Sequence, residues 1–215
     1  MIVMQQFRSV NKIRSQDALI IFTKAPRICR VKTRMAPLFN HRQCLYFYRH
    51  LSNDTCKRLS SRHYRVMIYS LGKRMHNANK QVGINLGQRM RHAMQKELKI
   101  HQRVVLIGSD TLIDRAVIEN AFSYLDRTNR IVIGPANDGG YFLIGAHTHV
   151  QHELFSHIAW GQVTVLSDTL AQLQRRGLRA HILEPEIDID TPDDWQQLAE
   201  QKSLPAWTRC LHKPS

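Results

Sequence analysis

The sequence predicts an α/β protein of three layers, α/β/α, built on a mostly parallel sheet with helices on both faces. Three observations predict it. Short apolar runs alternate along the chain with longer stretches whose apolar residues recur at helical spacing. Some runs, such as ALIIF at 18–22, are apolar at every position, as strands buried on both faces require. Carboxylates stand just past the ends of several runs, where open α/β sheets bind their ligands.

Residues 18–22 are the first strand, and a basic loop follows at 23–34. Between 41 and 60, Leu45, Tyr48, Leu51, Thr55 and Leu59 recur at helical spacing. Residues 66–69 read as a second strand. A polar stretch at 71–85 then leads into a helix with Leu86, Met90, Ala93, Met94 and Leu98 on one face. The third strand, 103–107, ends at Gly108-Ser109-Asp110. Asp114 is the expected cap of a helix carrying Val117, Ile118, Ala121, Phe122 and Leu125. Strands at 131–133 and 141–144 come next. A helix at 164–176 stops at Gly177, a residue suited to the left-handed conformation past a helix end. A late strand occupies 180–183. Thr191-Pro192-Asp193-Asp194 opens the last helix, with threonine as cap, proline in the first turn and the acids at the positive dipole end. The expected organisation is one domain at 17–202 between poorly ordered tails at 1–16 and 203–215.

With 215 residues, 43% of them hydrophobic, the chain can bury one substantial core. No apolar run approaches the ~18 residues of a membrane helix, and residues 1–16 lack the continuous apolar region of a signal peptide. Cys29, Cys44, Cys56 and Cys210 form no Cys-x-x-Cys pair, which fits reduced thiols and a cytoplasmic protein. The net charge of +14 invites a nucleic-acid partner, but the basic residues are scattered and no recognition motif accompanies them. A basic surface also concentrates anionic small molecules such as nucleotide phosphates, and a generally basic background is the plain alternative.

The densest signal is GPANDGGYFLIG at 134–145. It puts Asp138 in a glycine-rich turn whose backbone can lie against a ligand, although an Asp-Gly hairpin turn explains the same residues. Asp110, just past the third strand, is a hard oxygen donor suited to Mg²⁺ or Mn²⁺. Its competing role is to cap the next helix, a job for which Asp114 also competes. In Asp188-Ile189-Asp190 an extended backbone points both acids one way, where they repel unless a cation lies between them. An exposed loop is the alternative. Lys24 and Arg30-Val31-Lys32-Thr33-Arg34 border the crevice that follows a first strand and are able to clamp a diphosphate, with Arg34 offering a bidentate fork. A solvated basic loop is the competing reading. The histidines 147, 149, 152 and 157 lack an obvious fourth zinc ligand, and Ser109 lacks a nucleophile-elbow context.

Read in order, LIIFTKAP and RVKTRMAP within 19–37, LGQRM at 86–90, VVLIGSD at 104–110, GPANDGGYFLIG, Trp160 with Val165-Leu166, and DIDTPDDW at 188–195 resemble one family. It is the GT-A-type glycosyltransferase-like family often labelled radical-SAM/selenodomain-associated transferase. The resemblance covers residues 18–198. The pattern is more distantly similar to nucleotidyltransferases that make molybdopterin dinucleotides or act on phospholactate.

The resemblance implies a GT-A (nucleotide-diphospho-sugar transferase-like) fold and a Mg²⁺ or Mn²⁺ cofactor. It implies a nucleotide-sugar or NTP as partner and a sugar or other small molecule as acceptor. It puts Lys24, Lys32 and Arg34 on phosphates, and Asp110 on the metal with Asp188 or Asp190 as second ligand. Gly139, Gly140, Tyr141 and Trp160 fall in the donor or acceptor pocket, with Asp138 beside the acceptor as candidate base. The leading expectation is glycosyl transfer from a nucleotide sugar. Nucleotidyl transfer with release of pyrophosphate and a non-catalytic binding protein are the alternatives. Two departures stand out. Relatives carry Pro-x-Pro-Gly where this chain has Pro26-Arg27-Ile28-Cys29, a loss worth ~1 kcal/mol if that backbone takes positive φ. They carry Cys-Pro where this chain has Thr111-Leu112.

Overall fold

The apolar run at 18–22 lies inside β1 (Asp17–Lys24), and its alternate residues feed two cores. Ala18, Ile20 and Phe22 pack on one side of the sheet, Leu19 and Ile21 on the other. A strand with two buried faces has no polar side, and this is why the run shows no alternation. The computed structural model describes residues 16–72, 77–125, 130–147, 154–201 and 204–212.

The remaining elements are α1 (His41–Arg58), β2 (Arg65–Leu71), β3 (Asn79–Lys80), α2 (Leu86–Glu97), β4 (Arg103–Gly108), α3 (Arg115–Tyr124), β5 (Arg130–Pro135), β6 (Tyr141–His147), α4 (Val165–Arg175), β7 (Arg179–Ile182) and α5 (Pro192–Gln201). The seven strands form one sheet in the order β3-β2-β1-β4-β6-β5-β7. Only β6 runs against its neighbours, antiparallel to both β4 and β5. The mostly parallel α/β architecture is therefore as expected.

Helices cover both faces. Met90, Ala93 and Met94 of α2 and Leu173 of α4 share a core with Ala18 and Ile20. Ile118, Ala121 and Phe122 of α3 join Cys56 and Leu59 on the opposite face. A third core gathers Phe47 and Leu51 of α1 with Ile187, Ile189, Trp195 and Leu198. Each large apolar side chain buried this way contributes about 1.5–3 kcal/mol. The third core fixes the acidic segment 188–190 from beneath.

Local chemistry explains several boundaries. Asn40 and Gln43 form a reciprocal capping box at the start of α1. Thr191 caps α5 as expected: its hydroxyl accepts from Asp194 N at 3.3 Å, and Asp194 Oδ2 accepts from Thr191 N at 2.6 Å. Gly177 follows α4 with φ +66°. Asp114 occupies the N-cap position of α3 but makes no capping hydrogen bond there. Its exposed carboxylate lies 3.9 Å from Arg58 Nη1 instead.

Two features differ from expectation. The two-residue β3 pairs parallel with β2 inside the stretch read as polar. Just beyond it the buried Gln81 donates to the carbonyls of Thr23 and Tyr69. Within 203–215, expected as a tail, a 3-10 helix spans Ala206–His212, and its Trp207 ring stacks on His50 and meets Phe47 edge-on. Residues 1–15 of the expected N-terminal tail lie outside the described residues. Among those described, no helix is long and apolar enough to cross a membrane.

Candidate functional site

β1 and β4 run parallel, and β5 shares their direction through β6, so the ends of all three open on one edge of the sheet. The loop leaving β1 is anchored by Tyr48 of α1. The tyrosine hydroxyl accepts from Lys24 N at 2.6 Å and donates to the Lys24 carbonyl at 3.0 Å. Beyond that anchor the backbone twice enters the left-handed region, at Cys29 (φ +56°) and Lys32 (φ +50°). For residues other than glycine that conformation costs about 1–2 kcal/mol each. The Cys29 value bears on the first motif departure, because the position where the resemblance expects glycine takes positive φ.

Lys32 then turns inward. Its side chain is only 3% exposed, and Nζ lies 2.9 Å from Asp110 Oδ1 and 2.8 Å from Asp190 Oδ1. It donates hydrogen bonds to Asp190 and to the Ile189 carbonyl. Asp110 Oδ1 faces the ammonium as an ion pair outside hydrogen-bonding alignment, and this buried oxygen accepts no hydrogen bond. Arg34, two residues on, is 68% exposed, with Nη1 3.6 Å from Asp190 Oδ2. Lys24 is also exposed.

The acids are held by the second departure from the family motif. Thr111 pairs with Asp188 as an antiparallel bridge, and its hydroxyl donates to Asp188 Oδ1 at 2.7 Å. Ile189 N donates to the Asp110 carbonyl at 3.1 Å. These two bonds lock 188–190 alongside 110–111. The extended alternation expected of this segment is present: Ile187 and Ile189 are buried in the third core, and the charges of Asp188 and Asp190 both act on Lys32.

The charges shift one another. Burial opposes the Lys32 ammonium, but Asp110, Asp190 and Asp188 outweigh it and raise its pKa. Burial, reinforced by the nearby Asp110 charge, lifts Asp188 well above the carboxylate range, against the pull of Lys32 and Thr111. Burial also works against Asp190 ionising, yet Lys32, Arg34 and Lys24 together bring its pKa below the ordinary value. The seat thus consists of one buried ammonium between two carboxylates, with a third acid set back on Thr111.

Asp138 stands elsewhere on the same edge, at the tip of the β5–β6 hairpin. Its Oδ1 accepts from Gly140 N at 2.9 Å, closing the turn on itself. Gly139 has φ +84°, and a Cβ there would lie 2.1 Å from the Val163 carbonyl. Its own carbonyl accepts from Leu166 N at 2.9 Å. The close approach that these glycines allow is therefore made in part by the chain's own segment 163–166. Among the described residues, no hydrogen bond or ion pair joins Asp138 to the Lys32 cluster.

Tyr141 meets Trp160 edge-on, with ring centroids 6.4 Å apart. A Cβ on Gly87 would fall 2.3 Å from Trp160 Nε1. Gly87 is a residue that sequence reasoning passed over, although a glycine in the first turn of the LGQRM helix was its signal. Thr111 was read only as a departure, and nothing in the sequence announced its bond to Asp188.

The donor chemistry suits Mg²⁺ or Mn²⁺, which bind one or two protein carboxylates along with substrate phosphates. Asp110 and Asp190 supply them, with Asp110 Oδ1 facing the Lys32 ammonium at 2.9 Å. The acids do not converge as a threesome, since among the described residues no three His, Cys, Asp or Glu side chains gather as a metal centre. Of the histidine group, His149 and His152 lie outside the described residues.

Residues 53–162 match the family described as "Uncharacterized protein conserved in bacteria (DUF2064)". No curated protein matches the sequence. Among solved structures, a "putative nucleotide-diphospho-sugar transferase" from Desulfovibrio desulfuricans G20 superimposes with a TM-score of 0.83 at 29% identity, covering 91% of each chain. A nucleotidyl transferase from Methanothermobacter thermautotroptrophicus gives a TM-score of 0.54 at 13% identity, over 90% of this chain and 98% of that one. A cytidylyltransferase from Leptospira borgpetersenii serovar Hardjo-bovis gives 0.52 at 12% identity, over 85% and 84%. The last two share the fold with this chain and carry nothing further.

Proposed function

The chain belongs to the DUF2064 family, and from that premise we propose that it is a transferase acting on a nucleotide-activated substrate, with a nucleotide sugar as donor. The observation that carries this reading is the likeness, across 91% of both chains, to the Desulfovibrio protein described as a "putative nucleotide-diphospho-sugar transferase". The site's chemistry supports it. Arg34 and Lys24, exposed beside the acids, are the phosphate-binding groups of this reading. Asp110 and Asp190 are the residues to hold Mg²⁺ or Mn²⁺. Such an ion would neutralise charge on the departing diphosphate. Lys32 was expected on the phosphates, but its enclosed ammonium faces Asp110 and Asp190 instead, so Arg34 and Lys24 carry that role in this reading. Asp138 serves as the base that takes the proton of an acceptor hydroxyl, with Gly139, Gly140, Tyr141 and Trp160 around the donor or acceptor. The reading includes a cytoplasmic location, in keeping with the free thiols Cys29, Cys44 and Cys56.

Nucleotidyl transfer is the second reading, supported by the fold held in common with the nucleotidyl transferase and the cytidylyltransferase. Thermal shift with UDP-, GDP-, ADP- and TDP-sugars and the NTPs, each with and without Mn²⁺, tests the proposal. Stabilisation by one of them is expected. If none stabilises the protein, the nucleotide reading fails. The released product then separates the two chemistries: a nucleoside diphosphate for sugar transfer, pyrophosphate for nucleotidyl transfer.

A further inference from the structure

Lys32 stands where a bound cation is called for, and its placement is built in. The ammonium is nearly enclosed, 2.9 Å from Asp110 Oδ1 and 2.8 Å from Asp190 Oδ1, and donates to the Ile189 carbonyl as well as to Asp190. The backbone is spent on aiming it there. The left-handed conformation of Lys32 (φ +50°, ψ +37°) leads into the 3-10 helix Thr33–Met35, with Lys32 and Met35 buried and Arg34 outside. A lysine merely lying in a basic loop has no need of a strained backbone or a buried ammonium. The third acid, Asp188, accepts from Thr111, and among the described residues the carboxylates in ion-pair contact with the ammonium are Asp110 and Asp190.

A Mg²⁺ ion bound by those oxygens would sit ~2.0–2.1 Å from them. An ammonium at hydrogen-bonding distance from the same oxygens leaves no room for it, and the two cations repel. We infer that the Lys32 ammonium and a divalent metal compete for one seat between Asp110 and Asp190, and that in the nucleotide-free protein the lysine is the resident cation and keeps the metal out. The inference rests on the assignment of those two acids in the transferase reading. Its test contains no nucleotide, so it can fail while nucleotide binding stands.

The measurement is Mn²⁺ binding to the full chain, read from the electron paramagnetic resonance signal of free Mn²⁺. It compares the wild type with Lys32→Met, which keeps much of the side chain's length and loses its charge. Two half-buried carboxylates without their ammonium attract a cation, so the variant is expected to bind Mn²⁺ at least ~10-fold more tightly. Adding Asp190→Asn is expected to remove the gain. Affinities within about twofold of each other, tighter binding by the wild type, or a gain that survives Asp190→Asn overturns the inference. If Lys32→Met is unfolded in metal-free buffer, circular dichroism on addition of millimolar Mn²⁺ decides the matter. Refolding supports the inference, and a chain that stays unfolded overturns it.

Discussion

Cys29 and Asp138 show how a single residue's environment sets what can be expected of it. Cys29 is exposed and holds φ +56° in the loop that delivers Lys32 to the acids. Glycine takes that conformation without Cβ strain, at some cost in unfolded-chain entropy, so Cys29→Gly is expected to stabilise the fold by ~1 kcal/mol. Urea unfolding of the two proteins measures it, and an unchanged midpoint would remove strain from the account of this loop. Asp138 gives a cleaner test, because its carboxylate oxygen closes its own turn on Gly140 N. An asparagine amide oxygen accepts the same bond, so Asp138→Asn keeps the turn while removing the base. Donor binding should persist and turnover fall by about 10²-fold or more. Normal turnover would leave Asp138 with the turn as its only role.

At the scale of elements, packing overrides propensity where α2 meets Trp160. In an open helix Gly→Ala gains ~1 kcal/mol. At Gly87 the added methyl would lie 2.3 Å from the indole nitrogen, with two further indole atoms within 2.6 Å. Gly87→Ala is therefore expected to destabilise by about 1–3 kcal/mol and to alter Trp160 fluorescence. A stabilised variant with unchanged emission would contradict this packing. The elements that were legible in the sequence are those whose burial wrote a pattern. The runs 18–22 of β1 and 104–107 of β4 are apolar at every position because both faces are covered, and α5 is announced by Thr191 and Asp194 at its start. β3 was not legible because two residues cannot show a period. The segment around Trp207 was not legible either, since its order comes from Phe47 and His50, far away in sequence. Within the site, the strand-end position of Asp110 and the alternation of Asp188 and Asp190 were readable. The inward turn of Lys32 was not: it depends on a left-handed backbone that carries no sequence mark when the residue is not glycine.

For the whole molecule, stability at high pH should depend on groups the sheet buries in their neutral form. Burial raises the Cys56 thiol from an ordinary 9.0 to about 11. It raises the Tyr64 phenol from 10.0 to about 12, with Glu119 adding to the rise and Arg115 opposing it. The two belong to the same core beneath β1 and β4. Tyr64 also donates its hydroxyl hydrogen bond to the Leu59 carbonyl at 2.8 Å, a bond lost on ionisation. A pKa higher in the folded than in the unfolded chain means that the folded state holds its proton longer. The stabilisation is therefore complete below the unfolded values and is lost as pH rises through the folded ones. The window runs from 9.0 to about 11 for Cys56 and from 10.0 to about 12 for Tyr64. The formal charge of +14 works the other way, because deprotonating surface lysines in the same range relieves self-repulsion. Comparing variants separates the two effects, since each carries the same surface. Cys56→Ala and Tyr64→Phe should be less stable than or similar to the wild type at pH 8, and should lose less stability between pH 9 and 12. Urea melts across that range provide the measurement. Curves that stay parallel to the wild type would show that neither group ionises as part of unfolding.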